Sequence, residues 1–302
     1  MSTASNAQPA SPPQHELQCL EVWGGSNAAE HVASVPGLDI CVTSRPQEGE
    51  AGGDIYLISS CSSGWISRIL LADVAGHGSG VSDLARKLRR AMHKSINTVD
   101  QSKFARTLNE AFDDMSSGGR FATALLMTYF APSKHLIMVN AGHPPALIRR
   151  AGTSRWVTLG SDAPEAITET SKDVRVGLVN LPLGVIGSTE YVQIAFQLNA
   201  GDRVCAYTDA YIEATLDDGS QIGLEGFTAL LNTIDVSVEI NSMHRCVHAL
   251  MKEQGIEIAD DDQTLIVLEN NGGESPKLSI PIVRNWLKQN FGLGHSDTIP
   301  EL

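Results

Sequence analysis

Four short runs carry aspartates in settings suited to hard-cation chemistry: Gly52-Gly53-Asp54, Asp73-Val74-Ala75-Gly76-His77-Gly78, Tyr207-Thr208-Asp209-Ala210 and Asp260-Asp261-Asp262-Gln263-Thr264. They lie far apart in the chain, yet carboxylates that follow strand-like segments converge once the strands pair. An oxygen-only set of this kind selects Mg²⁺ or Mn²⁺. Each run also has an ordinary use. Aspartate beside glycine hydrogen-bonds locally in turns, Asp209 is placed to cap a helix starting at Ala210, and the three carboxylates at 260–262 suit a solvated loop.

Other residues bear on the same chemistry. His77 has a side chain that titrates near neutrality and suits a general acid, or else caps the helix that starts near Ser79. The guanidinium groups of Arg45 and Arg120 suit bidentate contact with a phosphate, and equally suit a solvated loop. His143, ahead of Pro144 and Pro145, reads as a turn residue. Glu213, four residues after Asp209, reads either as a group supporting that aspartate or as an exposed glutamate.

The elements that must position these residues show in the periodicity. Leu38 to Thr43, Ile55 to Ser60 and Ile66 to Val74 are β-branched runs separated by glycine-rich turns, and read as strands. Ser79 to Asn97 places Val81, Leu84, Leu88, Ala91 and Met92 at helical spacing under a basic outer face, and Gln101 to Met115 repeats the period. Strand patterns return at Phe121 to Phe130, His135 to Asn140, Ala146 to Arg150 and Arg155 to Leu159. Between Gly160 and Asn180 the periodicity fades, as in a loop or small flap. Val192 to Leu198 and Arg203 to Tyr207 read as strands, Gly223 to Leu231 and Glu239 to Gln254 as helices, and Thr264 to Leu268 as a last strand. This order does not alternate strand and helix as a doubly wound parallel sheet does; it fits layered sheets flanked by helix pairs.

Composition narrows the partners. The 302 residues, 42% of them hydrophobic, suffice for one large domain. With 22 Lys+Arg against 35 Asp+Glu, the net charge of -13 repels nucleic acid and anionic lipid alike. Five scattered cysteines without C-x-x-C spacing read as reduced thiols, and no apolar stretch approaches the ~20 residues of a membrane helix. The Ser/Ala/Pro/Gln-rich start is no signal peptide. A soluble cytoplasmic protein is expected, with residues 1–18 disordered, one domain over 19–270, and a tail over 271–302 that carries a short apolar helix near Ile280 to Phe291.

Eight motifs in order carry a resemblance to a known family. Gly52-Gly53-Asp54, Asp73 to Gly78, Phe121-Ala-Thr-Ala-Leu-Leu, Asn140-Ala-Gly-His-Pro-Pro, Leu181-Pro-Leu-Gly, Ala200-Gly-Asp-Arg-Val, Tyr207-Thr-Asp and Asp261-Asp-Gln-Thr together resemble the SpoIIE/RsbU-type branch of the metal-dependent (type 2C, PPM) protein serine/threonine phosphatases. The resemblance spans about Cys41 to Leu268. It implies an α+β fold, a layered α-β-β-α sandwich of two mainly antiparallel sheets flanked by helix pairs. It also implies two divalent cations, Mn²⁺ or Mg²⁺, with Asp73 as the bridging carboxylate, Val74 offering its carbonyl, and Asp54, Asp209 and Asp261 as flanking ligands, Asp262 competing with Asp261. Asp73 and Asp54 are then the catalytic carboxylates. Two cations about 3.5–4 Å apart activate a water for attack on a phosphate monoester.

The implied function is dephosphorylation of phosphoserine or phosphothreonine on a regulatory protein, in relatives commonly a STAS-domain anti-anti-sigma factor. The alternative is a phosphatase-fold protein that captures a phosphoprotein without turnover. Two positions depart from the family pattern: Ala210 stands where glycine is common, so that a positive φ there would be strained, and Leu57 stands where a further aspartate is common.

Overall fold

Near-continuous burial along the central strands and one-sided burial along the helices sort the described residues into layers. The computed structural model describes residues 14–274, apart from 18–19, 48, 50, 62–63, 76–78, 96–97, 99, 114–120, 161–166, 170–179 and 259. Strands β1 (Gln14–Glu16), β2 (Val22–Asn27), β3 (Ala29–Val35), β4 (Leu38–Arg45), β5 (Ala51–Cys61) and β6 (Ile66–Val74) lead into helices α1 (Ser79–Lys94) and α2 (Gln101–Asp113). Then come β7 (Ala122–Phe130), β8 (His135–Ala141), β9 (Leu147–Arg149), β10 (Trp156–Thr158), β11 (Ile167–Glu169), β12 (Gln193–Gln197) and β13 (Arg203–Tyr207). Helices α3 (Gly223–Asn232) and α4 (Met243–Glu253) precede the last strand, β14 (Gln263–Glu269).

The strands form two seven-stranded sheets, ordered β1-β3-β4-β14-β13-β9-β10 and β11-β12-β8-β7-β6-β5-β2. Apart from the short parallel contact of β1 with β3, the pairings are antiparallel. In β6, Ile69 and Leu71 point into the core between the sheets with Ile40, Val42, Met127 and Ile266. The alternate residues Leu70 and Ala72 pack under α1 and α2 against Leu88, Met92, Phe104 and Leu108. On the far side, Cys205, Tyr207, Val267 and Trp156 meet Phe227, Leu231, Met243 and Val247 of α3 and α4. Each fully buried Leu or Phe contributes roughly 1.5–3 kcal/mol. The result is the α-β-β-α sandwich expected. Among the described residues no helix is long and apolar enough to cross a membrane, and Cys41, Cys205 and Cys246 are free thiols.

Three differences from the sequence expectation have physical reasons. Strands β2 and β3 are missing from it, because Gly24-Gly25 interrupts the β pattern. Pairing with β5 and an edge-to-face contact of Trp23 with Tyr56, ring centroids 5.6 Å apart, hold β2 in place. Gly24 sits at φ +117°, and a Cβ there would lie 2.3 Å from the Tyr56 carbonyl oxygen, so close backbone approach demands glycine. Strand β1 falls inside the segment expected to be disordered, pairing Gln14–Glu16 with Val32–Ser34. Strand β11 falls inside the expected loop at 160–180, added to the edge of its sheet by pairing with β12. The expected apolar helix near 280–291 lies outside the described residues.

Candidate metal centre

Antiparallel order alone brings the aspartate runs to one end of the sandwich. The start of β5, the end of β6, the end of β13, the start of β14 and the end of β4 all lie there. Asp54 and Asp73 are cross-strand partners, directly opposite on β5 and β6, where like charges repel. Asp54 is buried at 3% exposure. Burial pushes its carboxyl well above the usual range, and Asp73 adds to the effect, while hydrogen bonds from Thr264 and Thr208 oppose it. Burial, then the charges of Asp209, Asp261, Asp262 and Glu213, push the Asp73 carboxyl up to about 7. Asp209 is raised by burial, Glu213 and Asp261. Among the described residues no Lys or Arg ion pair reaches Asp54, Asp73 or Asp209.

The donor chemistry fits hard divalent cations: Asp54, Asp73 and Asp209, with no Lys or Arg ion pair among the described residues, have the repulsion that such a cation relieves. The side chains are not a finished cage. Among the described residues no three His, Cys, Asp or Glu side chains are drawn together closely enough to hold a metal ion.

At the last run the two competing aspartates have different surroundings. Asp262 accepts the Gln47 N–H through Oδ1 at 2.7 Å and the Gly53 N–H through Oδ2, tying the start of β14 to the β4–β5 connection and to the start of β5. Asp261 is exposed and accepts only the Asp262 N–H, at 2.8 Å, among the described residues. Gly52 makes room for this clasp, since a Cβ there would lie 2.3 Å from Asp262 Oδ1. Gly52→Ala is therefore expected to push Asp262 off both N–H groups and cost about 1–3 kcal/mol. Urea unfolding would measure it, and an unchanged midpoint would refute the clasp.

Asp209 opens a short 3-10 turn, Asp209–Tyr211, with Thr208 at the N-cap position and no side-chain cap bond. Its carbonyl accepts the N–H groups of Ile212 and Glu213, both at 2.8 Å. Ala210 lies within this turn and is not among the residues of positive φ, so alanine is unstrained here. Glu213 is exposed, but close enough to raise both Asp209 and Asp73.

Arg45 ends β4 and lines a cavity of about 410 Å³ with Pro46, Gln47, His248, Ile258, Asp260, Asp261 and Gln263. His248 is pushed down to about 4 by burial and by the Arg45 charge. Val74 is buried at 2% and follows Asp73 at the end of β6. His77 and Arg120 lie outside the described residues.

His143 has the turn role its neighbours suggest. Its N–H and carbonyl are both bonded by the Asn140 side chain at 2.8 Å, and its Nδ1 shares a hydrogen bond with Thr123 Oγ1 at 2.9 Å. Burial pushes its imidazole down to about 3, with the Tyr207 backbone only partly opposing. A folded pKa below the ordinary 6.5 means stability present above pH 6.5 and lost as the pH falls toward 3. Relative to a His143→Gln variant, the wild type is expected to lose about 1.4 kcal/mol per pH unit below pH 6. Parallel unfolding curves for the two proteins would expose an error in this assignment.

Sequence reasoning missed the hydroxyl residues Thr208, Thr264 and Ser44. The signal was present, since both threonines belong to the quoted motifs, but a threonine after a strand carries no mark of what it donates to.

A family model described as Stage II sporulation protein E (SpoIIE) matches residues 66–271. No curated protein matches the chain in sequence. Among solved structures, the chain is similar to the RsbU and RsbW domains of a Mycobacterium tuberculosis protein, with 22% identity and a TM-score of 0.61 over 88% of this chain and 70% of that one. It is similar to the PP2C phosphatase domain and regulatory-domain fragment of the cell fate determinant SpoIIE from Bacillus subtilis, with 15% identity and a TM-score of 0.57 over 79% and 63% of the two chains. It is also similar to the catalytic domain of the serine threonine protein phosphatase PstP in complex with two manganese ions, with 15% identity and a TM-score of 0.50 over 77% and 97%. At these identities the structural likeness shows the fold.

Proposed function

The chain belongs to the SpoIIE family, the SpoIIE/RsbU branch of the PPM phosphatases, and from that premise we propose that it is a metal-dependent protein phosphatase that hydrolyses phosphoserine or phosphothreonine on a regulatory protein. The observation that carries this reading is the Asp54–Asp73 pair, opposed across two strands and raised together by burial and like charge. Asp73, Asp54, Asp209, Asp261 and the Val74 carbonyl would hold two divalent cations, Mn²⁺ or Mg²⁺. When bound, such cations compensate charge on a phosphoryl group and acidify water near neutral pH.

The remaining work falls to the protein. Asp262, already holding two backbone N–H groups, keeps the β4–β5 connection against the start of β14, which leaves Asp261 the more available carboxylate of the pair. Arg45, in the cavity beside Asp261, contributes a guanidinium for the substrate phosphate or an adjoining peptide group. A cytoplasmic STAS-type phosphoprotein is the substrate proposed, in keeping with a similar structure that joins RsbU and RsbW domains.

The alternative is capture of a phosphoprotein without turnover. Incubation with Mn²⁺ and a generic phosphoester, then with phosphorylated STAS proteins, separates the two. Phosphate release from both supports the proposal, release from the generic ester alone removes the STAS assignment, and phosphoprotein binding without release favours capture.

A further inference from the structure

We propose that Thr208 is a positioning residue for Asp54, and that Ser44, Thr264 and Thr208 form a hydrogen-bonded relay, its link from Thr264 to Thr208 made by the Thr264 backbone N–H, through which one sheet sets the carboxylate presented by the other. The inference rests on the phosphatase reading for the use made of the cation, but its test reads cation binding directly.

The relay is buried throughout, with Thr208 and Thr264 at 0% exposure, Ser44 at 2% and Asp54 at 3%. Thr208 Oγ1 donates to Asp54 Oδ2 at 2.9 Å. The direction is set by the neighbour on the other side, because the Thr264 backbone N–H donates to the same Oγ1 at 3.0 Å and leaves its proton for the carboxylate. The Thr208 N–H in turn donates to the Thr264 carbonyl at 3.0 Å. The Thr264 and Ser44 hydroxyls share a hydrogen bond at 3.0 Å across β14 and β4, where the two residues are register partners.

Ser44 and Thr264 belong to one sheet, Thr208 directly follows β13 of that sheet, and Asp54 belongs to the other, so these bonds cross the sandwich at the candidate centre. A buried carboxylate held by a donor of fixed direction has one orientation rather than several, which is what a cation ligand needs. It also accounts for the missing helix cap at Thr208, whose hydroxyl is engaged elsewhere.

The test is calorimetric titration of the full chain with Mn²⁺, for wild type, Thr208→Val and Thr208→Ser, each first shown to be folded by circular dichroism. Thr208→Val is expected to weaken Mn²⁺ binding by about 10–100-fold, and Thr208→Ser, which keeps the donor, by no more than about threefold. A folded Thr208→Val that binds like wild type, or a Thr208→Ser that fails equally, overturns the proposal. Should Thr208→Val not fold, Ser44→Ala reads the far end of the relay: several-fold weaker binding supports it and unchanged binding overturns it. Wild type that binds Mn²⁺ but releases no phosphate from a generic ester sinks the phosphatase reading alone, and the relay is then judged on these affinities. Wild type that binds no Mn²⁺ overturns both.

Discussion

Replacing Asp73 with asparagine is expected to lower Mn²⁺-dependent phosphate release by more than about a hundredfold while making the fold more stable at alkaline pH. The activity loss follows from removing a carboxylate proposed to hold the cations directly, a larger change than the 10–100-fold typical for groups that only support a ligand. The stability gain follows from electrostatics. Burial and four neighbouring acidic groups raise the Asp73 carboxyl to about 7, so its stabilising contribution is present below its ordinary pKa of 3.8 and lost as the pH rises through 7. A neutral, nearly isosteric amide avoids that loss, by about 1–3 kcal/mol at pH 8 and by little at pH 4. Denaturation with chelator at the two pH values, beside a phosphate-release assay, checks both halves. A variant that keeps turnover, or that is less stable than wild type at pH 8, would count against the site.

The second large effect is stabilisation by the cation itself. At Mn²⁺ a hundredfold above its dissociation constant the folded state gains about 2.7 kcal/mol, which for a domain of this size raises the melting temperature by roughly 5–10 °C. The gain should shrink as the pH falls from 8 to 5.5. Asp73, its carboxyl pushed up to about 7, takes up a proton in that window and competes with the metal. Thermal melts with Mn²⁺ and with chelator at the two pH values measure it. An equal shift at both would mean that other groups hold the ion.

Much of the architecture was legible because burial enforces period. Strands such as Ile66–Val74 and helices such as Ser79–Lys94 show their faces in the one-dimensional pattern, since each side chain has one environment along the whole element. Strands β2 and β11 were not legible. A glycine-interrupted edge strand and a three-residue strand have too little pattern of their own and are held by their partners.

The same division holds at the candidate centre. By itself the sequence determined which donors the candidate site offers: carboxylate oxygens recurring after strands, in motifs whose order resembles one phosphatase family. Residue type and spacing are local properties, and the chain displays them directly. Only the tertiary structure decided which carboxylates oppose one another and what holds them. Asp54 faces Asp73 because β5 and β6 pair in that register, and Asp262 is occupied by the N–H groups of Gln47 and Gly53, more than two hundred residues away. Asp54 itself is steadied by Thr208 from the other sheet. Such pairings depend on distances between elements, which no single segment encodes, because each exists only once two sheets have packed and excluded water from the groups between them.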